Sequence, residues 1–521
     1  MRKNFREIEL KLTVTPADIT ALKAHSAFAE LLDHPVATEN LTSVYFDTER
    51  FDLRDRGVTL RVRRKNGHFL QTIKSATPSG PLERDEWEKD LDDSQPDLDA
   101  AQGTALEPLL THEIRTGLKP IFETRIRRTY YHLADTGWRI EIALDQGEIV
   151  AGNRSWPVCE IELELKHGYR AALFELARMI VEVVPAQVAL AAKSERGYEL
   201  FEEKPLTAVH AQPVDLTPGI TTAQAFQTIA RSGLQQLINN IPLMSSRNPE
   251  ALHQMRIAVR RLRSAISVFG VIVRDGQIDR IKAELKWLNG ALAPAREHDT
   301  LAEEVINPLR QQHPDDRGLK SLSFTLARRR VRSYQQAGNA VHSQRFSKLL
   351  IETFAWIEIG EWITTTDELM RSRREWPVET YAAEQLSRRR KKIKKRGKAL
   401  NKLDPERRHK LRLQVKKTRY ATEFFANLFH QRKAARRRTK LLTALKRLQN
   451  SLGGLNDVAT RKQLCAELLA QSPRASTKDD GHNRAFAAGL VTGSEEARRG
   501  ELLSDAAKAH EQFEDVKPFW K

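Results

Sequence analysis

The chain has 521 residues, 40% hydrophobic and 30% charged, which is typical of a soluble protein with two or three domains. Its apolar runs are too short to cross a membrane, and its first residues lack the apolar segment of a signal peptide. With only Cys159 and Cys465, no disulfide framework is expected, so these features predict a cytoplasmic protein with no membrane contact.

The positive charge is concentrated in the second part of the chain. Residues 1–205 carry 28 Lys/Arg and 35 Asp/Glu, a net charge of −7, whereas residues 206–521 carry 58 and 33, a net charge of +25. A strongly basic half predicts a polyanionic partner. Composition alone leaves open whether that partner is DNA, RNA, polyphosphate or a membrane surface.

The first half is predicted to consist mainly of strands. Strict alternation of polar and apolar residues indicates strands at 7–12, 59–63 and 160–165. Further strands are expected near 43–47, 69–74, 84–90, 127–133 and 138–144, and helices near 16–33 and 169–184. Residues 205–220 hold three prolines and show no period, which predicts a linker, and the chain beyond it has a helical pattern almost to its end.

Several of these strands place charged side chains on one face. Residues two apart in a strand share a face, so Glu7, Glu9 and Lys11 point to the same side of their strand. The same holds for Arg61 and Arg63 in a second strand. A third strand places three carboxylates on one face: Glu160, Glu162 and Glu164. For one strand alone, a solvated polar face explains this pattern better. If the sheet closes with these faces inward, acidic and basic clusters share one lumen, an arrangement that suits a metal-bound phosphate chain.

The order of motifs in this half resembles the CYTH, or triphosphate tunnel metalloenzyme, superfamily over roughly residues 1–204. The signature Glu-x-Glu-x-Lys matches Glu7, Glu9 and Lys11. The other similar segments, in chain order, are Tyr45-Phe46-Asp47-Thr48, Leu60-Arg61-Val62-Arg63, Thr72-Ile73-Lys74, the strand with Arg84, Glu86 and Glu88, Glu141 to Gly147, Cys159 to Glu164, and Lys193-Ser194-Glu195-Arg196-Gly197-Tyr198.

The resemblance implies an α+β domain at 1–204 built on an eight-stranded antiparallel tunnel, and it implies roles for particular residues. Glu7, Glu9, Glu160 and Glu162 would hold Mg²⁺ or Mn²⁺, with Asp145 as a further ligand or water-orienting group. Lys193 would lie near the attacked or leaving phosphate. The phosphate-binding set would be Lys11, Arg61, Arg63, Lys74 and Arg128, the last chosen from Arg125, Arg127 and Arg128. Glu88 and Glu164 are alternative ligands that could instead pair with a neighbouring arginine.

The basic half contains an internal repeat. His253, Arg256, Arg260, Arg261 and Arg263 stand at the same relative positions as the residues of a second set: His409, Arg412, Lys416, Lys417 and Arg419. Offsets 0, 3, 7 and 10 fall within an arc of roughly 80° on a helix, so each set predicts a basic stripe with an apolar face behind it. The dense basic run at 388–398 can be read either as a solvated face or as a binding element.

These stripes resemble the CHAD family over residues 221–515. The resemblance implies an all-α domain of two four-helix halves, with the stripes lining a shared basic groove that binds polyphosphate. The expected contacts are His253, Arg256, Arg260, Arg263, His409, Arg412, Lys416 and Arg419. The segment Arg296-Glu297-His298-Asp299 has Glu where the family has Arg-Asp-x-Asp, which leaves no clear functional role for positions 297 and 299.

A CYTH domain followed by a CHAD domain is the arrangement of bacterial inorganic triphosphatases. The sequence therefore predicts metal-dependent hydrolysis of inorganic triphosphate to pyrophosphate and phosphate, joined to binding of long-chain polyphosphate. The chain shows no Gly-rich phosphate loop, which disfavours a P-loop enzyme. Adenylate cyclase or thiamine triphosphatase activity in the same fold, a non-catalytic polyphosphate-binding adaptor, and nucleic-acid binding by the basic half remain alternatives.

Overall fold

The structure is a computed structural model that describes residues 5–76, 80–471 and 478–521. These residues divide into two compact units, one formed by residues 1–207 together with 342–355 and the other by residues 208–341 and 356–521. The domain limits expected from the sequence, 1–204, 205–220 and 221–515, stay a prediction.

The strands belong to the first unit and pair in one antiparallel sheet. Their bounds are β1 (Phe5–Thr13), β2 (Ala37–Asp47), β3 (Val58–Lys65), β4 (His68–Ala76), β5 (Glu83–Leu91), β6 (Lys119–Asp135), β7 (Trp138–Ala151), β8 (Arg154–His167) and β9 (Gln187–Ala189). The strand order is β5-β4-β3-β2-β6-β7-β8-β1-β9, and β1 also pairs with β5. That pairing closes β1 to β8 into an eight-stranded antiparallel barrel, which confirms the predicted tunnel fold.

The alternation of side chains along these strands explains which face is inside the barrel. Leu10 and Leu12 of β1 point outward and are fully buried, as are Leu60 and Val62 of β3, which pack against a cluster that contains Leu106. The intervening charged residues must then point inward, because successive side chains of a strand face opposite sides of the sheet. The barrel is therefore apolar outside, under its covering segments, and charged inside.

Helices cover parts of the barrel and build the second unit. Their bounds are α1 (Pro16–Ala24), α2 (Ser26–Asp33), α3 (His112–Gly117), α4 (Ala171–Val183), α5 (Lys193–Phe201), α6 (Thr222–Asn239), α7 (Pro249–Val268), α8 (Ile278–Ala291), α9 (Ala293–Leu301), α10 (Asn307–Gln312), α11 (Arg317–Val341), α12 (Gln344–Ile359), α13 (Glu368–Glu375), α14 (Val378–Gly397), α15 (Pro405–Phe424), α16 (Arg432–Gln471) and α17 (Lys478–Asp515). Short 3₁₀ segments lie at Arg54–Arg56, Asp99–Ala101, Glu107–Leu109, Ile241–Met244, Glu361–Ile363, Leu400–Lys402 and Ala426–Leu428, and a π segment at Ala302–Ile306. The C-terminal region is predominantly helical, as expected. Within the parts of the chain that the structure describes, no helix combines the length and apolar character needed to cross a membrane.

The sequence repeat corresponds to a repeat of structure in α7 and α15. Each helix has 20 residues and begins at a proline, after Asn248 or Asp404, whose side chain accepts hydrogen bonds from the first turn. Phe269 and Phe425, which end the two helices at equivalent repeat positions, contact each other edge to face with ring centroids 5.8 Å apart. The two repeated helices therefore pack together, which brings their stripes into one neighbourhood.

Candidate functional site

The barrel encloses a cavity of about 940 Å³ lined by side chains of both charge signs. Ten of the eleven tunnel residues predicted from the sequence line it: Glu7, Glu9, Lys11, Arg61, Arg63, Lys74, Arg128, Asp145, Glu162 and Lys193. Arg84, Glu86 and Glu164 line it too; the predicted set of site residues leaves out the first two, and Glu164 was expected only as an alternative ligand. Alternation along β5 and β8 was the signal for these three, because each shares a face with residues already in the set or in the same motif.

One end of this cavity holds a dense ion-pair network around Lys193. Its ammonium nitrogen lies 2.8 Å from Asp145 Oδ2 and 2.7 Å from Glu162 Oε1. Arg128 donates two 2.6 Å hydrogen bonds to the fully buried Asp145 carboxylate and also contacts Glu162. Burial alone would lower the pKa of Lys193, but the carboxylates around it outweigh burial and raise that pKa well above its usual value. Lys193 therefore keeps its proton at neutral pH.

Glu160 occupies a different place from the other predicted metal ligands. It is 1% exposed and does not line the cavity. Its carboxylate accepts a 2.8 Å hydrogen bond from Arg196 Nη1 and lies 2.9 Å from Lys193 Nζ. This geometry suits a residue that positions Lys193 from behind better than it suits a ligand for a metal in the cavity. Arg196, absent from the sequence-based site set, completes this contact.

The carboxylates of β1 are paired with lysines, one from β1 itself and one from β4. Glu9 lies 2.9 Å from the Lys11 ammonium, and Lys74 contacts both Glu7 and Glu86, the latter at 3.2 Å. Burial disfavours the charged form of Lys74, but the charges of Glu7 and Glu86 raise its pKa overall. These lysines are therefore held as cations, and each remains available to an incoming phosphate.

Arg63 differs from Lys193, Arg128 and Lys74, which are paired with carboxylates. Its Nε donates a 3.2 Å hydrogen bond to Ser43 Oγ, and no carboxylate in the described parts of the chain forms an ion pair with it. Burial, together with the charges of Arg61 and Arg128, lowers the pKa of Arg63 to about 10. A buried guanidinium without a counter-charge is costly, and a bound anion would remove that cost.

Glu164 is the opposite case, a carboxylate in surroundings that disfavour its negative charge. It lies across from Glu9 in the β1–β8 register. Burial, with further contributions from the charges of Glu7 and Glu141, raises its pKa to about 7, although Lys166 lies 2.7 Å away. Within the described residues, no three His, Cys, Asp or Glu side chains converge closely enough to hold a metal ion. The crowded carboxylates nevertheless form an all-oxygen set facing one cavity, which is the donor chemistry that Mg²⁺ and Mn²⁺ prefer.

Helix α5 is fixed against the barrel by the motif that begins at Lys193. A Cβ atom on Gly197 would lie 2.2 Å from the Phe122 ring, so only glycine allows this approach. Tyr198 donates a 2.8 Å hydrogen bond to Asp47, whose carboxylate also accepts from the backbone nitrogens of the turn after β2. The contacts of Gly197, Tyr198 and Asp47 therefore fix the helix that carries Lys193, and these three residues do not line the cavity.

In the second unit, side chains of both repeats line one groove of about 470 Å³. Arg260 comes from α7, and Arg412 and Lys416 come from α15. The groove is completed by residues between 449 and 461 of α16, by Glu304 and by residues of α17, so the carboxylates of Glu304, Asp457 and Asp505 line it beside these three cations. None of the three cations forms an ion pair within the described residues. The two stripes therefore converge as expected, through Arg260 and Lys416 at offset 7 of the two repeats and through Arg412 at offset 3 of the second repeat.

Like charges are crowded in and beside this groove, which Lys416 lines and which His253 and Arg256 do not line. Burial and the charges of Arg260, Arg412 and Arg256 lower the pKa of Lys416 to about 6. Burial and neighbouring arginines also lower the pKa of Arg256 to about 10. The pKa of His253 falls to about 4, mainly by burial and then by Arg296 and Arg260. His253 is therefore neutral at physiological pH.

The remaining stripe residues lie outside the groove lining. His409 is exposed and its Nδ1 lies 3.4 Å from Asn456 Oδ1. Arg419 donates a 2.9 Å hydrogen bond to Gln449 Oε1 and also contacts Glu423. Arg263 is exposed and belongs electrostatically with Lys417 instead. The residues at offset 10, Arg263 and Arg419, therefore do not line the groove. The helices packed against α7 and α15 leave only part of each basic stripe facing it.

The acidic segment after α8 has a structural explanation. Asp299 is fully buried and accepts hydrogen bonds from Arg330 Nε at 2.6 Å and the Tyr334 hydroxyl at 2.7 Å. His298 Nδ1 lies 2.9 Å from Ser333 Oγ. These contacts join α9 to α11 and leave Asp299 no access to a ligand.

Comparison with known proteins supports the same division. Residues 6–198 match the family model of the CYTH domain, and residues 228–466 match that of the CHAD domain. The inorganic triphosphatase of Haemophilus influenzae is 32% identical over 206 residues, 39% of this chain and 57% of that protein, so the match spans little more than half of the relative.

Two solved structures are also similar. The CHAD domain from the plant Ricinus communis is 24% identical with a TM-score of 0.49, covering 58% of this chain and 96% of that one. The PH1819 protein from Pyrococcus horikoshii OT3 is 20% identical with a TM-score of 0.26, covering 38% and 99%. With both family models matched in order along the sequence, the chain contains a CYTH domain followed by a CHAD domain.

Proposed function

We propose that the barrel hydrolyses inorganic triphosphate to pyrophosphate and phosphate with the help of Mg²⁺ or Mn²⁺. The observation that carries this proposal is the cavity in which Arg63 forms no ion pair with a carboxylate of the described residues while β1 and β8 present crowded carboxylates. A substrate with several phosphates and a bound cation would neutralise both imbalances at once. The similarity to the inorganic triphosphatase of Haemophilus influenzae supports this choice.

The metal would be held by Glu7, Glu9 and Glu162, with Glu164 in place of Glu160. Glu164 lines the cavity opposite Glu9, whereas Glu160 is buried behind Lys193. When bound, a divalent ion would polarise a phosphoryl oxygen and make water easier to deprotonate. The protein's own carboxylates would fix the orientation of the phosphate chain, because each can contact the ion from a different strand.

The cations of the cavity would hold the substrate and neutralise the charge that develops during the reaction. Arg61, Arg63, Lys11 and Lys74 surround the cavity and can contact separate phosphate oxygens. Hydrolysis forms a bond from water oxygen to phosphorus and breaks a P–O–P bridge, leaving charge on the departing oxygen. Lys193, which keeps its proton, is suited to neutralise that charge.

Asp145 would then have a different role from the one first expected. Both of its oxygens already accept hydrogen bonds from Arg128, and Lys193 lies 2.8 Å from one of them. We propose that it positions these two cations, as Glu160 does together with Arg196. Water orientation would be left to the carboxylates that face the cavity.

The test is phosphate release from tripolyphosphate, ATP and thiamine triphosphate side by side, with and without Mg²⁺. We expect metal-dependent turnover with tripolyphosphate as the preferred substrate. Preferred turnover of ATP to a cyclic product, or of thiamine triphosphate, would support the alternative activities of this fold. Tight tripolyphosphate binding without turnover under any metal would support a non-catalytic adaptor.

A second function is favoured by a separate observation, the groove of the helical unit. We propose that it binds long-chain polyphosphate through Arg260, Arg412 and Lys416, with Arg256 nearby, because these basic side chains converge without forming an ion pair in the described residues and lie close enough to lower the pKa of Lys416. Titration with polyphosphate, and with single- and double-stranded DNA and RNA at matched salt, tests this. Equal or tighter nucleic-acid binding would overturn the choice of ligand.

A further inference from the structure

A second cationic surface lies on α7, α14 and α15, and none of its members lines the groove. We call it the α14 face and define it by six residues: Arg263, Arg388, Arg389, Lys392, Arg396 and Lys417. Lys417 experiences the charges of Arg389, Arg263, Lys392 and Arg396, and Lys392 those of Arg388, Arg389 and Arg396, so the six form one electrostatic cluster.

The basic run of α14 has one side with structural contacts and another without them. Arg390 donates a 2.9 Å hydrogen bond to the Glu514 carbonyl, and Lys394 donates one of 3.1 Å to the same oxygen. Arg388, Lys392 and Arg396 are exposed, and within the described residues none of the six cations of the α14 face forms an ion pair. The basic run therefore does more than cover the helix with solvated charge, because some of its cations are used in packing and others are left without an ion pair.

The uncompensated side carries an energetic cost. Arg388, Lys392 and Arg396 stand at intervals of four, which places like charges in one row about 6 Å apart and destabilises a helix. Arg389 is 7% exposed; its Nη2 donates a 3.0 Å hydrogen bond to the Ser267 carbonyl, but its Nε has no hydrogen-bond partner and no carboxylate pairs with it among the described residues. A ligand with closely spaced negative charges would neutralise the row and the buried arginine together.

We propose that the α14 face is a second binding surface for a linear polyphosphate chain, separate from the groove. The aromatic side chains of α7, α14 and α15 are Tyr381, Tyr420 and Phe424, and all three are buried. The surface therefore offers no ring on which a nucleic-acid base could stack, so recognition by charge alone is favoured. The proposal depends on the proposed function only for the choice of ligand, and its site is distinct.

The experiment compares three variants of the full chain by titration with long-chain polyphosphate over a range of salt. The face variant is R388E/K392E/R396E, and the groove variant is R260E/R412E. The matched control, K320E/R328E/R332E, makes the same change of net charge with three exposed cations of α11 that line neither surface. Circular dichroism and tripolyphosphate turnover of each variant report whether the fold is kept.

We expect the face variant to bind more weakly than the control and to lower the slope of log affinity against log salt by about 2, since three phosphate contacts are lost. The groove variant should keep a residual affinity that disappears when the face substitutions are added. A face variant that behaves like the control would overturn the proposal, whatever the groove variant does. Loss of nucleic-acid binding instead of polyphosphate binding would assign the surface to nucleic acid and also overturn it.

Discussion

The tunnel and the groove use the same residue types in opposite electrostatic states. In the tunnel, Lys193, Lys11 and Lys74 have raised pKa values because carboxylates outweigh the effect of burial. In the groove, the pKa of Lys416 falls to about 6 because burial and neighbouring arginines act in the same direction. The tunnel is thus a nearly neutral set of fixed charges, suited to a small anion accompanied by a cation. In the groove, Arg260, Arg412 and Lys416 form no ion pair within the described residues, although Glu304, Asp457 and Asp505 also line it, so these three cations are suited to a polyanion.

The strongest test of this contrast removes one carboxylate from the tunnel. Glu9→Gln keeps the size of the side chain but removes a charge that faces the cavity and lies 2.9 Å from Lys11. We expect tripolyphosphate hydrolysis at saturating Mg²⁺ to fall by a factor on the order of 10²–10³, the usual effect of removing one electrostatic contact from a reacting phosphate or carbonyl. Polyphosphate binding by the groove should not change.

The control for this variant is Glu148→Gln. Glu148 is 40% exposed, does not line the cavity and lies 3.7 Å from Arg125. The metal requirement is then checked directly by titrating Mn²⁺ and following its electron paramagnetic resonance. Near-normal hydrolysis by E9Q, or unaltered Mn²⁺ binding, would show that the ligand set is misassigned.

A second comparison lies within the tunnel itself, between a compensated cation and an uncompensated one. Lys193→Met would leave Asp145 and Glu160, which are 0% and 1% exposed, without one of their partners, and we expect a loss of stability of about 3–5 kcal/mol. Arg63→Met removes a buried cation that has no carboxylate partner among the described residues, so stability should stay the same or rise. Both variants should hydrolyse tripolyphosphate poorly.

Thermal unfolding followed by circular dichroism separates these two outcomes. For a unit of this size a loss of about 3 kcal/mol lowers the midpoint by roughly 6–12 °C. Equal midpoints for K193M and R63M would contradict the distinction between compensated and uncompensated charges.

The sequence predicted the barrel well because its signals are local. Alternation along each strand indicates which residues face inward, and eight strands in a motif order typical of the CYTH superfamily imply closure. The sequence could not distinguish Glu164, which lines the cavity, from Glu160, which is buried behind it, because both lie on the same face of β8. Depth depends on α5, which covers Glu160 through Arg196. The break at His25 between α1 and α2 was also missed, because both sides of it have helical character.

For the groove, periodicity alone was less informative. Offsets on a helix define an arc, but the neighbouring helices decide which part of that arc lines a cavity. Arg260 and Lys416, at offset 7, line the groove, whereas Arg263, at offset 10, is turned toward the α14 face. The lowered pKa of His253 likewise depends on Arg296, which is distant in sequence.

The groove itself is tested by charge reversal. R260E/R412E removes one cation from each repeat, and at roughly 1 kcal/mol for each cation near a polyanion the loss of affinity should exceed about 30-fold. Each single variant should lose a smaller factor, because both repeats contribute to one surface. Isothermal titration with polyphosphate measures the effect, and tripolyphosphate turnover by the same proteins is the internal control. Undiminished polyphosphate affinity would exclude the groove as the site.

The smallest expected effect is the pH dependence of polyphosphate binding by the groove. In the free groove the Lys416 pKa is about 6, so the side chain is mostly neutral at pH 7. A bound polyanion favours the charged form and raises that pKa, so binding takes up a proton. Affinity should therefore be highest below about pH 6 and fall as pH rises through the window between the free and bound pKa values. Because one group is involved, the fall is at most about tenfold for each pH unit.

Lys416→Arg keeps the charge at all these pH values, so its affinity should be flat across the window, while the Lys320→Arg control should keep the pH dependence. Calorimetry in buffers of different ionisation enthalpy counts the protons directly. If the wild-type protein takes up no proton on binding at pH 7, then Lys416 is already charged in the free groove. The contrast between a lowered lysine pKa in the groove and raised lysine pKa values in the tunnel would then be wrong.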